Sequence, residues 1–167
     1  MLRISEYIPR SAAAEDGIAV RVCLTRLAIN PRVAGIKHLN RLEQVLASAE
    51  LGDAVEGLML DIDGNVVEGT RSNLFASLAG QWATPLVDRC GVAGVMREYL
   101  IDRTGADEVR LSINGLRAAT ELFVCNSVFG IYPVTQVDPG EGECLEFPVG
   151  EATRELQAKV RSVLGLL

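Results

Sequence analysis

The stretch EGLMLDIDGNVVEGTRSNLFASLAGQWATP, Glu56 to Pro85, constrains the fold more than any other part of the chain. Short apolar runs are cut by Asp63-Gly64, a strong two-residue hairpin signal, and by Ala79-Gly80, a weaker one. A chain that reverses at both points lays down a run of antiparallel strands, which must bury at least one face against something else.

The flanking segments suggest what covers that sheet. GIAVRVCLTRLAI, Gly17 to Ile29, alternates with Ile18, Val20, Val22 and Leu24 on one side, then shifts parity to Leu27 and Ile29. That predicts a long strand with a bulge. From His38 to Glu50, Leu39, Leu42, Val45, Leu46 and Ala49 follow helical spacing and predict a helix packed by that face, with Gly52 past its end. AGVMREYLIDRTGA predicts a helix closing at Gly105. DEVRLSI, ELFVCNS and FGIYPVTQV read as strands and NGLRAATE as a short helix or turn. The last segment predicts a helix with Leu156, Val160, Val163 and Leu164 inward. The fold class is mixed α/β with mostly antiparallel pairing, in one domain over residues 17–167 behind an irregular lead-in over 1–16.

Composition narrows the function. A net charge of −6, with basic residues scattered rather than clustered, argues against nucleic acid as a partner. No apolar run reaches bilayer length, and MLRISEYIPR lacks a signal-peptide core, so no membrane partner is expected and a cytoplasmic setting is. Cys23, Cys90, Cys125 and Cys144 show no CxxC pairing, and with a single histidine no structural zinc is expected; the cysteines read as reduced thiols, mostly buried.

Four stretches carry candidate chemistry. In GIKHLNRLEQVLASAE, Lys37 stands at the start of a helix. In EGTRSNLF, Glu68 lies just past a hairpin. CGVAGVMR is a small-residue loop running into a helix, whose first N–H groups make an anion site. CNSVFGIYPV places Asn126 and Ser127 at a strand end. An amine nucleophile, a carboxylate, an anion cradle and a second polar loop are the set that pyridoxal phosphate needs for its aldehyde, its ring nitrogen and its phosphate.

The order of lysine, E-G-x-x-x-N-L-F, G-V-x-R and a polar turn before PV resembles the fold-type IV pyridoxal-phosphate enzymes, from about Val20 to Val137. KHLNRLEQVLA, CGVAGVMR and CNSVFGIYPV look closest to the branch that cleaves 4-amino-4-deoxychorismate to 4-aminobenzoate and pyruvate, a step towards folate. Branched-chain and D-amino-acid aminotransferases are the rival branch, and a non-catalytic cofactor-binding or interaction domain is the rival from outside enzymology. The resemblance implies a D-amino-acid aminotransferase-like domain with a pseudo-barrel sheet and flanking helices. It implies that Lys37 is the Schiff-base lysine and that Glu68 faces the pyridine nitrogen. It implies that the amides of Val95 and Met96 take the phosphate, and that Ser127 donates to phosphate or to a substrate carboxylate. Asn126 is a further substrate-binding candidate. For Arg41 and Arg97 two roles stand open, substrate ligand or helix-surface and structural ion pairing. Asn73 reads as a structural residue behind Glu68, His38 as packing or second shell, and Cys90 and Cys125 as core.

Members of that family carry a further domain before the lysine domain, with the pocket between the two; it usually supplies an arginine to the phosphate. Only 36 residues (37 − 1) precede Lys37 here. The expectation is therefore a weakly active or inactive domain when alone, with an exposed apolar face and a tendency to form homodimers.

Overall fold

The structure, a computed structural model, describes residues 11–165. A short helix α1 (Ser11–Glu15) precedes the long strand β1 (Ile18–Leu27) and the helix α2 (Leu42–Ala49). The strands β2 (Glu56–Asp61), β3 (Asn65–Gly69), β4 (Asn73–Leu78) and β5 (Gln81–Pro85) follow, then helix α3 (Val95–Thr104). Short strands β6 (Asp107–Val109) and β7 (Leu111–Ser112) and a one-turn α4 (Ile113–Leu116) lead to β8 (Ala119–Asn126) and β9 (Gly130–Asp138). A two-residue β10 (Leu145–Glu146) and helix α5 (Glu151–Leu164) end the described chain.

Both hairpin signals act as expected. Ala79 and Gly80 hold φ of +50° and +83°, the paired left-handed geometry of a tight turn between β4 and β5. At the β2–β3 turn, Asp61 Oδ1 accepts from the N–H groups of Asp63 and Asn65, which fixes the register from inside the strand end. The strand order is β6-β5-β4-β8-β9-β1-β2-β3-β7, with β10 on β9. Pairing is mostly antiparallel; β1 runs parallel to β2 and β9, and β5 parallel to β6. The two arms curl until β3 packs against β4 and β5, giving a nearly closed barrel flanked by helices.

Burial is two-sided. On β4, Leu74 and Ala76 enter the barrel interior with Val20, Leu58 and Val124. Phe75 points the other way and stacks on Phe123 at 5.0 Å, under α3 and α5. This explains why β2 and β4 read as near-continuous apolar runs rather than as clean alternation. Each of the leucine, valine and phenylalanine side chains among them contributes roughly 1.5–3 kcal/mol when fully buried.

β1 carries the expected bulge, between Val22 and Arg26 in its pairing with β2. The amide of Thr25, freed from the ladder, donates to the Glu50 carboxylate at 3.0 Å, as do the Leu24 amide and the Thr25 hydroxyl. Burial pushes Glu50 up, but the bonds from Thr25 and Leu24 outweigh it and hold the carboxyl below its ordinary range. Leu24, grouped by parity with Ile18, Val20 and Val22, parts from that buried side at the bulge and is 83% exposed.

Four further expectations need correction. Residues 11–15 of the lead-in are helical, while residues 1–10 lie outside the described residues. α2 starts at Leu42 rather than His38, because Arg41 folds back onto the preceding carbonyls. Its apolar stripe points outward: Leu39, Leu42, Val45 and Leu46 are exposed, and the buried positions are Gln44 and Ala47. Ala47 presents only a methyl group to the sheet, so the helix sits close and Gln44 can reach a buried polar partner. In α5, Leu156 and Val160 are buried as expected, but Val163 is 60% exposed.

Candidate active site

A cavity of about 630 Å³ opens beside the β1–α2 loop. Lys37, Glu68, Val95, Met96 and Ser127 all line it, as do Arg41 and Asn126. Its size suits a small molecule or cofactor. The residues come from segments far apart in sequence, and the backbone shows how they are brought together.

Gly35, at φ +76°, turns the chain so that its N–H donates to Gly91 O at 3.0 Å and its carbonyl accepts from Ala93 N at 2.9 Å. Asn30 N donates to Arg89 O at 2.8 Å. The loop before Lys37 is thereby stitched to the loop before α3. Lys37 itself stands exposed on this loop. Arg41 reaches back with Nη2 to Ile36 O (2.7 Å) and Nε to His38 O (3.2 Å), the two carbonyls that bracket Lys37.

Glu68 is 3% exposed on β3. Gln44 Nε2 donates to its Oε1 at 3.1 Å, and Val92 N donates to its Oε2 at 2.8 Å. Burial pushes the carboxyl above its ordinary range, while Gln44, the Val92 amide and the charges of Arg41 and Lys37 pull it back in part. Two of its lone-pair positions are occupied by the protein, and others remain for a partner in the cavity. Gly91 permits this approach, since a Cβ there would stand 2.6 Å from Val67 Cγ1 and 3.4 Å from Glu68 Oε2.

α3 begins on the same cavity. Its N-cap is Gly94, no side chain caps it, and Gly94, Val95 and Met96 line the space. The first N–H groups of such a helix, with the positive end of its dipole, attract an anion. Asn73, the first residue of β4, donates from Nδ2 to Val92 O at 2.9 Å and braces this loop, the structural role expected of it. A Cβ on Gly94 would lie 2.3 Å from Asn73 Oδ1, so only glycine lets the brace sit so close.

Asn126 and Arg97 are placed differently from their candidate substrate roles. The Asn126 amide is committed to the fold: Oδ1 accepts from Val128 N and Phe129 N, both at 2.9 Å, and Nδ2 donates to Arg71 O at 3.0 Å. It shapes the turn that presents Ser127, and its amide has little left for a substrate. Arg97 does not line the cavity. It is 1% exposed and donates to Pro85 O at 2.9 Å, to Glu108 Oε2 at 2.5 Å and to Glu98 Oε1 at 3.1 Å. It ties α3 to β5 and β6, the structural alternative left open for it. His38 faces a separate smaller space beside Cys90. Cys23, Cys90 and Cys125 are buried free thiols, the first two pushed by burial up to about 11, and Cys144 is exposed.

Sequence reasoning missed Gln44, the Val92 amide and Arg71. Gln44 was hidden because its helix carries a stronger apolar stripe on the opposite face. Among the described residues no helix is long and apolar enough to cross a membrane, and no cluster of three or more acidic, cysteine or histidine side chains suits a metal ion.

The amino-transferase class IV family model matches residues 1–137. An aminodeoxychorismate lyase of Vibrio harveyi is 38% identical over 155 residues, covering 89% of this chain and 57% of that protein. A putative branched-chain-amino-acid aminotransferase of Methanocaldococcus jannaschii is 32% identical over 158 residues, covering 89% and 54%. The crystal structure of 4-amino-4-deoxychorismate lyase from Pseudomonas aeruginosa superposes with a TM-score of 0.85 at 46% identity, over 91% of this chain and 57% of that one. The chain thus spans just over half the length of these three relatives.

Proposed function

The chain belongs to the class IV aminotransferase family, and on that premise we propose that it is the pyridoxal-phosphate-binding domain of an aminodeoxychorismate lyase, releasing 4-aminobenzoate and pyruvate. The observation that carries this reading is the convergence of Lys37, Glu68 and the open start of α3 on one cavity.

The donor set fits the cofactor. The amides of Val95 and Met96, with the Ser127 hydroxyl, would hold its phosphate. Glu68, kept from bulk water and held at both oxygens, would keep a proton on its ring nitrogen. Lys37 Nζ would carry it covalently. Once bound, the cofactor supplies an aldehyde that captures the substrate's amine and a ring that accepts the electron pair of a breaking C–H bond. Lys37 Nζ, in its free amine form, would be the base that takes the proton from the amine-bearing ring carbon of the substrate. Loss of pyruvate from the neighbouring carbon would leave an aromatic ring, which makes the overall reaction favourable. Arg41 and the Gly35 bonds hold the Lys37 loop in place.

We further propose a cytoplasmic homodimer, with the step feeding folate synthesis. The motive for the dimer is the exposed stripe of Leu39, Leu42, Val45 and Leu46, an apolar face rarely left to water. Light scattering on the purified protein that finds monomers only would remove it.

The main test is spectroscopic. Protein mixed with pyridoxal phosphate should gain a visible absorption band that borohydride bleaches and Lys37→Ala lacks. Supplied with 4-amino-4-deoxychorismate, the protein should form 4-aminobenzoate, and Lys37→Ala should lower that rate by about 10²–10⁴-fold or more. Transfer of an amine to 2-oxoglutarate without 4-aminobenzoate would move the chain to the aminotransferase branch. Absence of the band in the wild type would leave a non-catalytic domain.

A further inference from the structure

The chain as a whole is acidic, yet the cavity is lined by three cations, Lys37, Arg41 and Arg71, against one carboxylate, Glu68. Lys37 and Glu68 have roles in the proposed reaction, and Arg41 is turned onto backbone carbonyls. Arg71 is the cation without a role. We propose that Arg71 binds a carboxylate of the substrate at the rim of the cavity and so selects dicarboxylic over monocarboxylic substrates; this rests on the lyase reading above and names its specificity residue.

Arg71 is held ready for that task. Its Nη2 donates to Val55 O at 2.6 Å, and its Nε stands 3.8 Å from Glu56 Oε2. Glu56 is itself fixed: it is 2% exposed and accepts from Thr70 N at 3.0 Å and Ser72 Oγ at 2.9 Å, on either side of Arg71. The Arg71 carbonyl is anchored by Asn126 Nδ2. Stem and backbone are therefore ordered before any ligand arrives, which lowers the entropic cost of binding. Nη1 makes no hydrogen bond among the described residues and keeps its donors for an external oxyanion, the geometry arginine offers a carboxylate.

Two oxyanions compete for it, the cofactor phosphate and a substrate carboxylate. Burial decides between them. Glu68 and Met96 stand at 3% and 4% exposure in the deep part of the cavity, and the uncapped start of α3, with Val95 itself exposed, lies beside them. The Arg71 side chain is 57% exposed, at the rim that an exchanging ligand crosses. The substrate of the proposed lyase bears two carboxylates, one on the ring and one on the enolpyruvyl arm. An amino acid with an apolar side chain bears one, and with that one held at the Ser127 turn it has no second carboxylate for Arg71.

The test uses the cofactor-loaded protein and chorismate, a dicarboxylate with a hydroxyl in place of the reactive amine, followed by calorimetry. Arg71→Gln should bind chorismate about 10–100-fold more weakly, the scale of one charge-assisted hydrogen bond, with Arg71→Lys in between. Affinity for pyridoxal phosphate and the circular dichroism spectrum should stay as in the wild type, and KM for 4-amino-4-deoxychorismate should rise with kcat kept. Unchanged chorismate binding in Arg71→Gln overturns the proposal. So does loss of pyridoxal phosphate affinity with chorismate binding intact, which would assign Arg71 to the phosphate. A wild type that binds chorismate through Arg71 but makes no 4-aminobenzoate would sink the lyase reading and leave this inference standing.

Discussion

Helices α3 and α5 both begin on an extended glycine, Gly94 and Gly150, and neither has a side-chain cap of its own. Each lies near a carboxylate supplied by a strand, and the two carboxylates are used in opposite ways. Glu121, on β8, accepts from the Thr153 amide at 2.8 Å and its hydroxyl at 2.7 Å, inside the first turn of α5. That end of the helix is satisfied by the protein's own anion. Glu68, on β3, accepts from Val92, before α3 starts, and leaves the first amides of α3 facing the cavity. Where the fold needs only to begin a helix, it fills the end with its own carboxylate. Where it leaves the end open, with a charged set around it, the end is kept for an anion from outside.

The largest expected difference between the two ends comes from placing the same methyl group at each. A Cβ at Gly94 would meet Asn73 Oδ1 at 2.3 Å, and one at Gly150 would meet Glu121 Cδ at 1.9 Å. Either Gly→Ala change must push a bonded side chain aside, at about 1–3 kcal/mol of stability, measurable by denaturant unfolding. Only Gly94→Ala should also weaken pyridoxal phosphate binding, by roughly tenfold or more, the equivalent of about 1.4 kcal/mol in lost alignment of the α3 amides. Equal cofactor affinity in both variants would break the distinction between an open and a filled helix end.

Removing the filling anion should have a somewhat smaller effect. Glu121→Ala leaves the Thr153 amide and hydroxyl without their acceptor and should cost about 0.5–2 kcal/mol, as other lost caps do. Free phosphate in the buffer should not restore that stability, because α5 does not border the cavity lined by Lys37, Arg41 and Arg71. Recovery of the variant by phosphate would mean that an open helix end is sufficient by itself to make an anion site, and would weaken the special status given to α3.

What the sequence disclosed divides along the same line. The α3 loop, its closing Gly105, both hairpins and the bulge of β1 were legible, because turn glycines and strand parity are local signals. Lys37, Glu68 and Ser127 were legible as members of a motif, and the cavity does bring them together. The outward turn of α2 was not legible. A hydrophobic stripe marks a face to be covered without saying by what, and here a glutamine faces the sheet because a buried acid needs a donor. Arg97 and Arg71 look alike in sequence. Contacts from Pro85 and Glu108 bury the first, and Val55 and Glu56 hold the second at the rim. Such exchanges of role depend on long-range neighbours that spacing along one chain does not encode.

The smallest effect expected concerns Glu68 in the cofactor-free protein, and it carries a sign that Glu121 has no reason to share. Burial lifts the Glu68 carboxyl above its ordinary value of 4.5 in the folded state. Its contribution therefore favours folding fully below 4.5 and is lost as pH rises through the folded value, the reverse of a salt-bridged acid. Glu68→Gln is neutral at every pH. Its single carbonyl can keep the Val92 amide, while the Gln44 amide flips to accept from the new NH2 group. Denaturant unfolding across that range should show the wild type losing stability with rising pH relative to Glu68→Gln, so that the variant equals or exceeds it at neutral pH while binding pyridoxal phosphate poorly. A variant less stable than wild type at neutral pH would mean that Glu68, like Glu121, is there to hold its own fold together. The contrast between a carboxylate kept for a ligand and one used up by the protein would then fail.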